Sequence, residues 1–212
     1  LHLLDQEQLA HAIFPLGERR KEEVRALARR AGLATAAKKD STGICFIGER
    51  RFSDFLARYV PHDPGPIETP EGLRLGEHQG LAYYTLGQRQ GLGIGGLAGG
   101  LEAPWFVAAK NVSRNALIVV QGHDHPLLLS RRLTTGRMHW IAGSPPEPPP
   151  FPCRARLRHR QPPQDCVVTS LAGDHAEIHF LQPQRAVTPG QSAVLYRGEE
   201  CLGGGVIEET WG

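Results

Sequence analysis

The chain has 212 residues, 40% of them hydrophobic and 22% charged, and a formal net charge of +2. That length and composition suit one or two compact domains and exclude a disordered chain. No apolar run approaches the ~20 residues that span a bilayer, Leu1 opens no signal-peptide pattern, and so small a charge does not by itself announce nucleic-acid binding. Cys45, Cys153, Cys166 and Cys201 form neither a Cys-x-x-Cys metal pair nor a dense disulfide framework, which points to a reducing cytoplasm. The only methionine is Met138, so the chain reads as a processed piece rather than a whole translation product.

Asp5 to Phe14 reads as a short helix. Arg20 to Ala31 is the clearest one, with Val24, Leu27, Ala28 and Ala31 repeating at i, i+3, i+4, i+7. Glu22 and Glu23 in its first turn, Arg29 and Arg30 in its last and Gly32 beyond suit the helix dipole and a glycine stop. Arg19, Arg20 and Lys21 at its entrance oppose the dipole and read either as a solvated end or as ligands for a neighbour.

From Lys38 to Glu49 the character changes. Asp40-Ser41-Thr42-Gly43 is turn chemistry, and Ile44, Phe46 and Ile47 surround a single cysteine, Cys45. Lys38 and Lys39 supply charge that would favour a thiolate if the turn folds them back; burial of Cys45 as a core residue is the alternative. Glu49 to Val60 is a further helix, with Phe52, Phe55, Leu56 and Tyr59 on one face and Pro61 as its stop.

Beyond residue 61 the period falls to two. Leu73-Arg74-Leu75 reads as a hairpin arm, and Trp105–Lys110 with Ala116–Gln121 as another. Between them Gly91-x-Gly93-x-x-Gly96 has the spacing of a dinucleotide fingerprint. Gly99 and Gly100 argue against the helix that must follow, so a loop allowing close backbone approach is expected instead. His123 and His125 lack a third ligand nearby and read as a hinge rather than a metal site. The last ninety residues predict a small antiparallel barrel, with strands Leu133–Trp140, Cys153–Arg160, Cys166–Leu171, His175–Phe180, Ser192–Tyr196 and Gly204–Glu209. Gly173-Asp174 is a hairpin turn.

The strand Cys153 to Arg160 carries the clearest functional pattern. Alternation puts Arg154, Arg156, Arg158 and Arg160 on one face, repeating every ~6.6 Å, close to the stride of a nucleic-acid backbone. Either RNA phosphates meet these charges, or Glu177 and Glu208 on neighbouring strands form an ion-pair ladder with them.

The stretch Asp40-Ser41-Thr42-Gly43-Ile44-Cys45-Phe46-Ile47-Gly48 resembles the cysteine motif of the tRNA-specific 2-thiouridylase (MnmA) family. Gly76-Glu77-His78-Gln79-Gly80, Tyr84-Thr85-Leu86-Gly87-Gln88-Arg89, Pro104-Trp105-Phe106-Val107, Arg158-His159-Arg160-Gln161, Thr188-Pro189-Gly190-Gln191 and Cys201-Leu202-Gly203-Gly204-Gly205 resemble further family segments in order. The resemblance implies an α+β, mainly β protein. Residues 1–44 would be the remnant of an ATP-pyrophosphatase (PP-loop) domain with the cysteine turn, 45–122 a β-rich tRNA-binding domain and 123–212 an antiparallel β-barrel. The Pro145-to-Pro150 run, a linker by composition, becomes a loop inside the barrel.

The same resemblance implies sulfur transfer to the wobble uridine (position 34) of the tRNAs for Glu, Gln and Lys, giving 2-thiouridine. ATP with Mg2+ activates the base, and a cysteine desulfurase or sulfur-relay protein is the donor. Cys45 falls on the persulfide carrier; Arg158, His159 and Gln191 fall on positions that touch tRNA. The Ser-Gly-Gly-x-Asp-Ser signature and the first catalytic cysteine are not in this sequence, so the chain alone is expected to be inactive. Two rivals remain: a stand-alone RNA-binding barrel with a structural Cys45, and a cysteine hydrolase, for which no nucleophile signature appears.

Overall fold

A computed structural model describes residues 2–39, 59, 62–95, 103–158 and 161–212. The chain forms two compact units, Glu7–Tyr59 and Leu1–Gln6 with Val60–Gly212. Cys45 and nearly all of the helix expected over Glu49–Val60 lie outside the described residues.

Helix α1 (Gln6–Ala10) covers about half of its predicted span, and α2 (Lys21–Arg30), in the smaller unit, matches its own closely. The Arg20 N–H donates to the Glu23 carboxylate at 3.0 Å, which answers one of the orphan donors of the first turn. At the other end Gly32 turns to φ 68°, while its N–H reaches Arg29 O and that of Leu33 reaches Ala28 O. This double bond pattern is a Schellman stop. None of the residues of α2 is buried.

The larger unit holds two β structures. The first is a four-stranded sheet in the order β2-β1-β4-β3, built from β1 (Gly65–Glu68), β2 (Arg74–His78), β3 (Trp105–Asn111) and β4 (Ala116–Gln121). Its pairs are antiparallel except β1 with β4, which run parallel. Ile67, Val107, Leu117 and Val119 form its core, closed over by Tyr84 and Leu92 from the loop between β2 and β3. Buried His78 pins the loops: Nδ1 accepts the Gly80 N–H at 3.0 Å, so Nε2 carries the proton and donates to Asn115 O at 3.0 Å.

The second is a closed, wholly antiparallel barrel in the order β10-β5-β8-β7-β6-β9. Its strands are β5 (Leu129–Trp140), β6 (Phe151–Arg156), β7 (Gln164–Ala172), β8 (His175–Arg185), β9 (Ser192–Arg197) and β10 (Glu200–Trp211). Inward alternation gives a core that includes Leu133, Phe151, Val168, Ile178, Leu195 and Ile207. Cys153 and Cys166 face each other across β6 and β7 in that core, with their sulfurs 3.5 Å apart. Hydrogen bonding to Cys153 and burial push the Cys166 thiol far up. Gly203 lets the last strand close the barrel, because at φ 145° a Cβ there would lie 2.0 Å from His139 O.

The fold is α+β and mainly β, as expected. The proline-rich run sits between β5 and β6. Two expectations are corrected. Strand β6 ends at Arg156 rather than Arg160, because Gln161 closes a turn by donating its N–H to Arg158 O at 3.1 Å, and Pro162 and Pro163 follow. The acidic ladder is also different. Arg154 pairs with Asp165 at 3.1 Å, directly opposite on β7, whereas Glu177 meets His179 and Glu208 meets His175.

Candidate nucleic-acid interface

Sheet and barrel meet at a junction built around β8. Phe106, Val120 and Leu128 make a small shared core. The Arg185 guanidinium lies over the Phe106 ring, 4.4 Å from its centroid, and Nε donates to His123 O at 2.9 Å. Burial, and then the nearby Arg158 charge, lower the Arg185 pKa. Gly87 holds φ 78° against Ala186, where a Cβ would stand 2.5 Å from the alanine methyl. The histidines of the His123–His125 run serve local structure: His123 Nδ1 lies 2.7 Å from the Asp124 carboxylate, and His125 Nδ1 accepts the Leu127 N–H.

Arg158 stands at the edge of this junction. Its Nη2 donates to Ala186 O at 2.9 Å, and the side chain remains largely exposed. The turn carrying it is held from below by Gln161. That side chain accepts the Leu157 N–H at 3.3 Å and donates to buried Gln184 at 3.0 Å. Gln161 is thus a positioning residue that alternation alone does not reveal. Its signal was the break in pattern before two prolines.

Gln191 is fixed by a different turn. Pro189 and Gly190 occupy the centre, Gly190 at φ 85°, and the Gln191 N–H returns to Thr188 O. This is the type II arrangement that Pro-Gly favours. Two bonds to Ile207 of β10, through the Gly190 N–H and the Gln191 carbonyl, lock the turn onto the barrel.

Arg158 and Gln191, 33 positions apart in the numbering, line one open groove of about 750 Å³. Its floor is the outer face of β9, where Ser192, Val194 and Tyr196 alternate with buried Ala193 and Leu195. Arg156, Leu157, Cys201 and His2 complete its walls, and among the described residues that line it there is no carboxylate. His159 and Cys45 lie outside the described residues, so the groove unites two of the four expected site residues. Among the described residues, no group of three or more His, Cys, Asp or Glu side chains gathers to hold a metal ion.

Three family models match the chain in succession. They are a tRNA methyl transferase HUP domain over residues 1–49, a tRNA methyl transferase PRC-barrel domain over 53–121 and an aminomethyltransferase beta-barrel domain over 130–207. The tRNA-specific 2-thiouridylase MnmA of Methylococcus capsulatus is 59% identical over 212 residues, which is 100% of this chain and 57% of that protein. Those of Marinobacter nauticus and Thiobacillus denitrificans are 58% and 60% identical, over 100% and 98% of this chain and 53% and 58% of theirs. The chain belongs to the tRNA-specific 2-thiouridylase family. It spans a little over half the length of these curated relatives. Several of the segments that resemble this 2-thiouridylase family have structural reasons: Gly87 and Gly203 permit close approach, and Pro189-Gly190 sets the turn that carries Gln191.

Proposed function

We propose that this chain is the RNA-holding part of a tRNA-uridine 2-sulfurtransferase, which places sulfur on the wobble uridine. The observation that carries this reading is the groove, with no carboxylate among its described lining residues, that brings Arg158 and Gln191 together from separate turns. Arg158, His159 and Gln191 contact the tRNA, Arg158 through a charge-assisted bond to phosphate. Residues 1–44, 45–122 and 123–212 act as the three functional parts, the first continuing an ATP-binding domain.

Cys45 carries the persulfide in this reading. A thiol on a turn suits that task, since its sulfur must meet both a donor protein and a base turned out of its stack. Lys38 is held beside α2, where Arg25 donates to its carbonyl at 2.9 Å, and with Lys39 it offers positive charge next in sequence to the motif. ATP supplies activation of the uridine C2 oxygen in the whole protein. Residues 1–212 lack the phosphate-binding signature, and no ATP or Mg2+ step is assigned to them. The partners are tRNAs for Glu, Gln and Lys and a persulfide donor, in the cytoplasm. Among the described residues no helix is long and apolar enough to cross a membrane.

The test is tRNA binding and thiolation by the whole protein and by residues 1–212. The shorter chain should bind tRNA and not thiolate it, and Arg158→Ala should weaken its binding by about 1–2 kcal/mol. Thiolation by the shorter chain, or unchanged affinity of Arg158→Ala at low salt, would sink the corresponding part of the proposal. In the whole protein Cys45→Ser should abolish thiolation while leaving tRNA affinity intact; retained thiolation would return Cys45 to a structural role.

A further inference from the structure

The groove holds a cation that the proposed tRNA contacts do not use. Arg156 ends β6 on the outer face of the barrel, and its guanidinium carbon lies 5.3 Å from the centroid of the Tyr196 ring on β9. The contact is diagonal across the β6–β9 pair, where Arg156 stands opposite Val194 and Tyr196 opposite Arg154. Arg154 is neutralised by Asp165. Arg156 forms none of the ion pairs found among the described residues, and its Nε is buried without a hydrogen-bond partner.

An aromatic ring holds a guanidinium in place without cancelling its charge, whereas a carboxylate would do both. The fork that results is oriented and unneutralised, and it is suited to two parallel bonds with a phosphate. Beside it Leu157, Val194 and the Tyr196 ring give an apolar wall, and about 750 Å³ is within the range that accepts a nucleotide-sized ligand. Burial raises the Tyr196 phenol, with the Cys201 thiol adding to the rise and Arg156 opposing it, so the ring stays neutral at physiological pH.

We infer that this groove seats one unstacked, phosphate-bearing nucleotide of RNA, with Arg156, braced on Tyr196, as its phosphate ligand and the Val194–Tyr196 wall beside its base. Tyr196 is a positioning residue, since it acts through the guanidinium as well as beside the base. The inference rests on the RNA reading above and extends it by a site on the barrel wall.

Cys201 lines the same groove and is half-buried, so it reports occupancy without any substitution. The experiment uses the full-length protein with an unmodified tRNA transcript for Glu. It measures affinity over a salt series and alkylation of the Cys201 peptide. Arg156→Gln should weaken binding about tenfold and flatten the log–log salt slope by about 1, as one phosphate contact is lost. Tyr196→Leu should weaken binding similarly, and Tyr196→Phe should stay within about twofold of the parent because the ring remains. Bound tRNA should slow alkylation of Cys201, and heparin at equal charge should not.

If tRNA binds and Arg158→Ala weakens it, but Arg156→Gln changes neither affinity nor slope, the groove inference falls and the RNA reading stands. If the parent protein does not bind tRNA, the RNA reading falls and takes the inference with it. If Arg156→Gln does not fold, the Cys201 footprint of the parent decides: protection by tRNA alone supports the seat, and no protection overturns it.

Discussion

In the barrel every strand has a partner on both sides, whereas the four-stranded sheet ends at β2 and β3. Among the described residues, the barrel encloses a core of fifteen buried side chains and the sheet's main core has six. The sheet makes up the difference with polar pins. His78 ties two loops together, and Arg114 Nη2 sits 3.0 Å from both oxygens of buried Glu68. A closed barrel needs only inward alternation and tolerates a groove on its outer wall. A small open sheet depends on a few hydrogen bonds whose loss leaves buried groups unanswered.

That contrast can be broken by substitution. The largest loss is expected from Leu195→Ala in the barrel, about 3–4 kcal/mol from transfer and cavity terms in a fully buried site. Urea unfolding would show it, and a loss under 1 kcal/mol would mean the barrel core is not its main support. His78→Ala should cost about 2–3 kcal/mol by orphaning the Gly80 N–H and Asn115 O. Hydrogen exchange should then rise at Gly80 and in the β3–β4 turn while the barrel stays protected. Exchange rising equally in both would show that sheet and barrel are one cooperative unit.

A smaller effect belongs to the junction. Gly87→Ala meets both a positive φ and the Ala186 methyl, and should cost about 1–2 kcal/mol through strain. Its signature is weaker tRNA binding as Arg158 loses its anchor on Ala186 O. Normal affinity would show that Arg158 is positioned by its own turn alone. Arg154→Ala removes a half-exposed ion pair and should change stability by less than about 0.5 kcal/mol, read as an unmoved urea midpoint.

The barrel was legible because strands such as β6 and β9 alternate and its turns carry Gly-Asp or Pro-Gly. Sequence reasoning could therefore place six strands with errors mainly at their ends. Strand β1 was missed, since Gly65-Pro66-Ile67-Glu68 is short and opens with two turn residues. It becomes a strand only through pairing with β2 and β4. The end of β6 was misplaced for a related reason: the bonds of Gln161 to Leu157 and Gln184 are tertiary, and four alternating arginines outweighed two prolines in a one-dimensional pattern. Arg158 and Gln191 were named from resemblance, and the groove places them together. Arg156 and Tyr196 share that groove because β6 and β9 are neighbours, a pairing that chain order does not suggest.

The closing strand of the barrel is also the last of the ten described strands to be synthesised. Trp140 of β5 waits for Gly203 of β10, a loop closure of about sixty residues whose entropy must be met before the contact forms. Until β10 leaves the ribosome, β5 and β9 both present open edges, each able to pair with another nascent chain. A stop codon before residue 200 would therefore be expected to yield an aggregating product rather than a shortened functional one. Strand β10, Glu200–Trp211, governs whether the polypeptide survives its own birth.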